Sequence, residues 1–439
     1  MYWLSKSIHH AGKFRKRLSL FLINLGPGII TMIADNDAGG ISTYAVTGSK
    51  YGFNLLWVFF ILVPMAYYIQ EMTVRLGAVT KRGHAEAIFD GFGPFWGWFS
   101  IFDLAVINWC TLVTEYIGMT AAMSIFGVPP WITYIFVTGI LMGVVISGRY
   151  WTFEKITLAF CGFNFVFIPA AFWAMKTATA PPWSAVLSGF YHPQFTAASL
   201  TADLLFIIMA NIGTTITPWQ IFFQQSAVVD KGLDLKDIKY GKVDTFVGST
   251  LTGVVAVFII IATGAAFYYH IPPIIIEDAK QTAEAIMPLL SHGKGEWARA
   301  LFAVGLFDAG FLGALCISLA TSWAVGEIFG WAHSLNKGVK DAPWFYVVYF
   351  FSLATSGAVV LVPGAPLIII TMFVQVIAVT LLPAALMFLV LLLNDKPLMG
   401  DHTNSRWENI ANWSIIAFVI IMSTMFGISV LFPNLFGQG

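Results

Sequence analysis

The sequence predicts an all-α polytopic membrane protein of eleven transmembrane helices, built as two five-helix repeats of inverted topology with helices 1 and 6 broken. Three observations carry that prediction. The 439 residues are 58% hydrophobic and only 10% charged, with a mean hydropathy of +0.78, far more apolar than a soluble domain. The apolar runs reach about 20 residues, the length a helix needs to cross a bilayer, and the alternating segments of a membrane barrel are absent. Two runs, the first and the sixth, are interrupted at matching positions, the sequence mark of an inverted-repeat carrier with a site near the bilayer midplane.

In order, the spans cover roughly residues 20–50, 53–78, 94–124, 128–147, 152–175, 199–229, 244–268, 296–330, 343–362, 365–394 and 409–432. They group as a cytoplasmic segment 1–19, a first repeat 20–175, a second repeat 199–394 and an eleventh helix 409–432. The N-terminus carries Lys13, Arg15, Lys16 and Arg17 without a cleavable leader pattern, and is expected to be retained in the cytoplasm. With that end inside, 18 of the 23 Lys and Arg residues face the cytoplasm, as the positive-inside rule requires of a cell-membrane protein, and the C-terminus is extracellular. The outer loop 269–295, mixed and proline-containing, is expected to form a folded cap. Cys110, Cys161 and Cys316 fall within spans at irregular spacing and read as buried free thiols.

The breaks carry the chemistry. Residues 26–40 place Asp35, Asp37 and the pair Gly39–Gly40 inside an otherwise apolar span. A carboxylate at that depth costs several kcal/mol unless it meets water, a cation or a partner, and non-helical backbone survives there only where it lines a cavity. Asp37 and an unwound Ala38–Gly39–Gly40 are therefore expected to border a buried polar site. If the helix is already unwound there, Asp35 faces the same cavity as Asp37; in a regular helix it faces away, towards a helix partner. The sixth span breaks over residues 215–220, where Pro218 has no N–H and frees carbonyls near Thr214 to face a cation.

Residues 25–57, the stretch Thr111–Ser124 and the broken sixth span resemble the natural-resistance-associated macrophage protein (Nramp) family of divalent metal transporters. The resemblance implies a LeuT-like fold. It also implies a first-helix motif Asp-Pro-Gly-Asn and a sixth-helix motif Met-Pro-His-Asn, whose aspartate, asparagine, methionine and a sixth-helix carbonyl hold the ion. Counted from Gly26-Pro27-Gly28, the aspartate falls on Asp37, followed by Ala38, Gly39 and Gly40, so the proline and asparagine are missing. Thr217, Trp219 and Gln220 stand at the methionine, histidine and asparagine positions, and only Pro218 is kept. Glu115 matches a third-helix glutamate whose aspartate companion is replaced by Leu112, and Gln375 matches a tenth-helix glutamine that approaches the metal.

These departures set the expected cargo. A thioether favours soft transition ions; the Thr217 hydroxyl does not. Gly40 removes a carboxamide and is expected to open space. The implied metal-site residues are then Asp37, Gly40, Thr214, Thr217, Glu115 and Gln375, with Ala38, Gly39, Pro218, Trp219 and Gln220 shaping the cavity. A roomy oxygen site suits Mg2+, which keeps part of its water, with Mn2+ tolerated. The sequence resembles an Nramp-related branch of magnesium transporters more closely than the classical members. Trp219, Gln224, Leu112 and a ninth span without arginine remove most of the family's proton relay, so uptake is expected to be uncoupled and driven by gradient and potential. The alternatives are a proton-coupled Mn2+/Fe2+ symporter, an organic-substrate carrier of the same fold, and a non-transporting metal receptor.

Asp103 and Asp308 lie within spans without a motif, and His84, His192, His270 and His292 read as solvated loop residues. The 16 Trp, 14 Tyr and 39 Phe suit interfacial belts and lipid-facing surfaces and require no cofactor. No nucleotide loop, zinc motif or nucleophile elbow appears, so no enzyme is indicated. The expected partners are a divalent ion and the bilayer, not nucleic acid; the oligomeric state stays open, a monomer being compatible.

Overall fold

The computed structural model describes residues 26–432 apart from 147, 177–178, 193–200, 277–280, 283–293 and 366. The described residues form helices and turns, and nine of the helices are long and apolar enough to cross a membrane. Two further elements complete the chain order expected from the sequence: the shorter apolar helix Pro130–Ile146 and a first span split into α1 (Pro27–Ala34) and α2 (Ala38–Tyr51). The elements that position the site are these two, α3 (Phe59–Thr80), α4 (His84–Phe92), α5 (Pro94–Ser124), α6 (Pro130–Ile146), α7 (Tyr150–Cys161), α8 (Phe167–Ala174), α9 (Trp183–Tyr191), α10 (Ala202–Thr215), α11 (Pro218–Lys231) and α12 (Ile238–Thr263). After them come α13 (Lys294–Phe329), α14 (Pro343–Gly357), α15 (Leu367–Asn394) and α16 (Arg406–Leu431).

The breaks lie a few residues from where the glycines suggested. The first comprises Asp35 to Asp37, and Ala38–Gly39–Gly40 is not unwound but forms the first turn of α2. The reason is capping: Asp37 is extended at φ −71°, ψ 177°, and its Oδ1 accepts the Gly40 N–H at 2.6 Å. The second break is Ile216–Thr217, both extended, with Pro218 in the first turn of α11 where its missing N–H costs nothing.

Depth in the bundle differs sharply between helices. The most apolar stretch of Ala202–Lys231 is 89% buried and that of Arg406–Leu431 only 22%, so the broken sixth span is central and α16 peripheral. Small residues let the broken elements come close to α12: a Cβ on Gly28 would lie 2.6 Å from the Thr245 nitrogen, and one on Gly248 would lie 2.9 Å from the Gly28 carbonyl.

Two expectations are corrected here. His84 is not a solvated loop residue: it is fully buried at the start of α4, its Nδ1 2.9 Å from Gln225 Oε1 and its ring edge-on to Phe222. Cys161 and Cys316 are buried thiols, whereas Cys110 is only half-buried. The segment after α8, between the spans read from the sequence, contains α9. His292 and most of the expected cap at 269–295 lie outside the described residues, as do Lys6 to Arg17; His192 is exposed and His270 half-buried.

Candidate metal site

The two breaks face each other, and their polar side chains are buried without being satisfied. Asp35, Asp37, Glu115, Thr214, Thr217, Gln220 and Gln375 are all 0% exposed. Asp37 spends Oδ1 on the Gly40 N–H and leaves Oδ2 without a partner. The Thr214 and Thr217 hydroxyls and both ends of the Gln375 carboxamide also lack hydrogen-bond partners. Buried polar groups in native proteins are nearly always paired, so such a cluster marks a place prepared for a polar guest.

Glycines hold the cluster together. A Cβ on Gly40 would lie 2.6 Å from Thr214 Oγ1 and 3.3 Å from Asp37 Oδ1, and one on Gly39 would lie 2.0 Å from Gln375 Nε2. Gly213 lets the α15 backbone in: a Cβ there would sit 1.9 Å from the Gln375 carbonyl. So Asp37, Thr214 and Gln375 meet around Gly39–Gly40. The extra room expected from the missing asparagine is absent, because the Thr214 hydroxyl takes it.

On the other side, Gln220 Oε1 accepts the Thr217 N–H and Gln70 Nε2, each at 3.3 Å, so this oxygen fixes the break and is not free for an ion. Because the Thr217 N–H turns to Gln220 and Pro218 has none, the carbonyls of Gly213 and Thr214 lose their regular helical donors. Trp219, which follows the break, is fully buried, with its ring 6.0 Å from that of Phe223. Glu115 caps α2 from α5: its Oε2 accepts the Ala38 N–H at 3.0 Å, and a Cβ on Gly313 would come within 2.8 Å of it. It thus stands behind Asp37, holding the half-helix, with Oε1 3.4 Å from Thr114 Oγ1.

Among the described residues no three His, Cys, Asp or Glu converge as a metal cage. The available donors are oxygens of mixed type, namely carboxylate, hydroxyl, carboxamide and freed carbonyl; no thioether or imidazole belongs to the set. That composition suits a hard cation that keeps some of its water.

A family model described as natural resistance-associated macrophage protein-like matches residues 28–429. The chain belongs to the Nramp family. The divalent metal cation transporters MntH of Bradyrhizobium diazoefficiens and Listeria innocua are 26% and 27% identical to it, the alignments covering 95% of this chain and 91% and 92% of theirs. A mutant of the Eremococcus coleocola manganese transporter superposes with a TM-score of 0.77 at 18% identity, covering 95% of this chain and 89% of that one. MhsT in complex with L-phenylalanine superposes at 0.62 with 15% identity, covering 92% and 98%. These likenesses establish the Nramp and LeuT-like architecture.

Within this Nramp protein one residue left open by the sequence is placed, and one group of residues escaped it. For Asp35 the sequence left two placements, and the structure has the unwound one: the helix ends at Ala34 and Asp35 is its C-cap, fully buried beside Asp37. The signal was the run Asp35-Asn36-Asp37, which suits a helix end and a new N-cap better than a helix interior. The group that escaped holds the inner end of α1. Asp244 of α12 accepts the Gly28 N–H at 2.7 Å and the Gly26 N–H at 3.1 Å, while Glu154 and Lys231 form a buried ion pair at 2.6 Å. Asp103 is half-buried on α5, and Asp308 is buried with Oδ2 2.9 Å from Asn164 Nδ2, away from the breaks.

Proposed function

We propose that the chain carries a divalent metal ion across the membrane by alternating access, with Asp37, Thr214, Thr217 and Gln375 around the ion, and that its preferred cargo is Mg2+, with Mn2+ admitted. The observation that carries this reading is the cluster of buried, unpartnered oxygens at the facing breaks, without sulfur or imidazole. Mg2+ is held by one or two carboxylates with waters retained, and hard oxygen donors give no advantage to softer transition ions. Uptake is uncoupled from protons in this reading, because Trp219 and Gln224 stand at the sixth-helix positions where the family resemblance expects histidines.

A second reading is a proton-coupled Mn2+ symporter, and the printed names of the relatives, MntH and manganese transporter, favour it. Glu115 beside Asp37 retains an acid pair on which such coupling would depend. A metal receptor without flux is the reading from another functional class. One experiment separates the three: purified protein in liposomes, with Mg2+ and Mn2+ uptake measured at an imposed negative-inside potential while internal pH is followed. Mg2+ entry without acidification supports the first reading; entry of Mn2+ alone with acidification replaces it by the second, and absence of flux with retained binding by the third.

A further inference from the structure

The buried carboxylates of this protein sort by what they touch. Asp244 gathers backbone N–H groups of α1, Glu154 pairs with Lys231, and Glu71 lies 2.9 Å from Arg75 and 2.8 Å from Lys242. Glu327 accepts Ser226 Oγ at 2.6 Å and the Ala85 N–H at 3.1 Å, and Asp230 accepts the Leu335 N–H at 2.8 Å. Each is satisfied in the way a structural carboxylate must be. Asp35 is the exception among the described residues: it is 0% exposed, no well-formed hydrogen bond reaches either oxygen, and the one side-chain donor turned to it is the Gln220 carboxamide. The groups that face it are Asp37, the Tyr44 hydroxyl and the Gln220 carboxamide, and the Gln220 Nε2 donor is itself unpartnered.

A structural explanation for Asp35 fails on these contacts. Asn36, its neighbour, is the residue that ties the break to the bundle, with Nδ2 3.3 Å from the Thr252 carbonyl. Tyr44 gives its hydroxyl to Thr215, at 3.2 Å. A carboxylate beside another carboxylate, away from water, must either take up a proton or meet a cation, and the unpartnered oxygens around it favour a cation. The Asp35 main-chain carbonyl also borders the site, lying 3.3 Å from where a Cβ on Gly40 would be.

We propose that Asp35 is a second carboxylate ligand of the transported cation, a role that rests on the metal-carrying function proposed above. Asp35 and Asp37 then approach the ion from the end of α1 and the start of α2, and together balance the charge of a divalent ion. A second carboxylate raises affinity for Mg2+ and disfavours monovalent ions, since ligand charge count sets affinity at oxygen sites.

The test is Mg2+ titration calorimetry on the purified full-length chain, comparing Asp35→Asn, which keeps shape and removes charge, with Asp37→Asn. Asp35→Asn is expected to weaken Mg2+ binding by about tenfold or more. Wild-type affinity in Asp35→Asn, with binding lost in Asp37→Asn, overturns the role of Asp35 alone. Wild-type affinity in Asp37→Asn, or no Mg2+ binding by the unmodified chain, overturns the metal site itself. A measurement that leaves Asp35 intact guards against a misfolded variant: infrared difference spectra of Glu115→Gln with and without Mg2+. Two shifted carboxylate bands are expected, from Asp35 and Asp37; a single band overturns the assignment.

Discussion

Asp37 has two oxygens in different situations, one capping α2 and one without a hydrogen-bond partner, which the proposed function gives to the ion. Asp37→Ala removes both, and Mg2+ or Mn2+ flux should fall to background. Loss of the cap costs only about 1 kcal/mol, so the protein should still purify as a monodisperse species. Normal flux from that protein would move the site elsewhere. Gly40 sets a less obvious condition. Restoring asparagine there to recruit soft ions collides with Thr214 Oγ1, 2.6 Å from the new Cβ, and threonine has little freedom to turn away. Gly40→Asn alone should therefore destabilise the fold by about 1–3 kcal/mol. Thr217→Met combined with Gly40→Asn and Thr214→Ala should instead raise Cd2+ and Mn2+ affinity over Mg2+, measured by competition binding; unchanged selectivity would disprove the donor-softness argument. At this scale the identity of Asp37 was legible from its charge in an apolar run. The closure of the space above Gly40 was not, because it depends on a hydroxyl of another helix.

The half-helix α1 is short and is held at both ends by other elements. Asp244 caps its inner end, while Asn36 and Thr252, whose hydroxyl donates to the Met32 carbonyl, hold its outer end. In the proposed alternating-access cycle, release of this end of α1 would break its contacts with Asp244 beside the Glu154–Lys231 pair. Asp244→Asn keeps the shape and removes the charge that attracts the α1 N–H groups, weakening charge-assisted hydrogen bonds worth about 1.5–3 kcal/mol. Hydrogen exchange at Gly28 and Ile29 should accelerate by roughly tenfold or more, since about 1.4 kcal/mol is one decade. Unchanged exchange would mean that the inner end is held by packing alone. Long spans and both breaks could be read from apolar length and from Pro218, because these depend on local composition. The inner clamp could not: Asp244 follows Gly26 by 218 positions, and nothing local marks the pair. Likewise, α4 is a polar-looking nine-residue segment, and only its packing between α11 and α15 buries His84.

For the whole molecule, the decisive property is charge moved per cycle. If Mg2+ crosses alone, two elementary charges traverse the membrane field, and 100 mV negative inside supplies about 4.6 kcal/mol. That corresponds to roughly a thousandfold accumulation at 1.4 kcal/mol per decade, with no proton gradient required. In liposomes the uptake rate should rise with the imposed potential, persist when internal and external pH are equal, and leave internal pH unchanged. Proton symport predicts the opposite: acidification in step with metal entry, and faster uptake when the outside is more acidic. The structure gives a reason to expect the first pattern. The acids at the breaks are engaged as a helix cap, Glu115 on Ala38, and as candidate ion ligands, Asp35 and Asp37. Among the described residues, His84 is turned to Gln225 beside Phe222, and His333 lies with Ser226 and Asp230 near the far end of α11. A proton leaving Asp37 would have Glu115 as its next acceptor. Internal acidification in strict proportion to metal entry would show that such a relay exists, and would reassign Glu115 from capping α2 to carrying the proton.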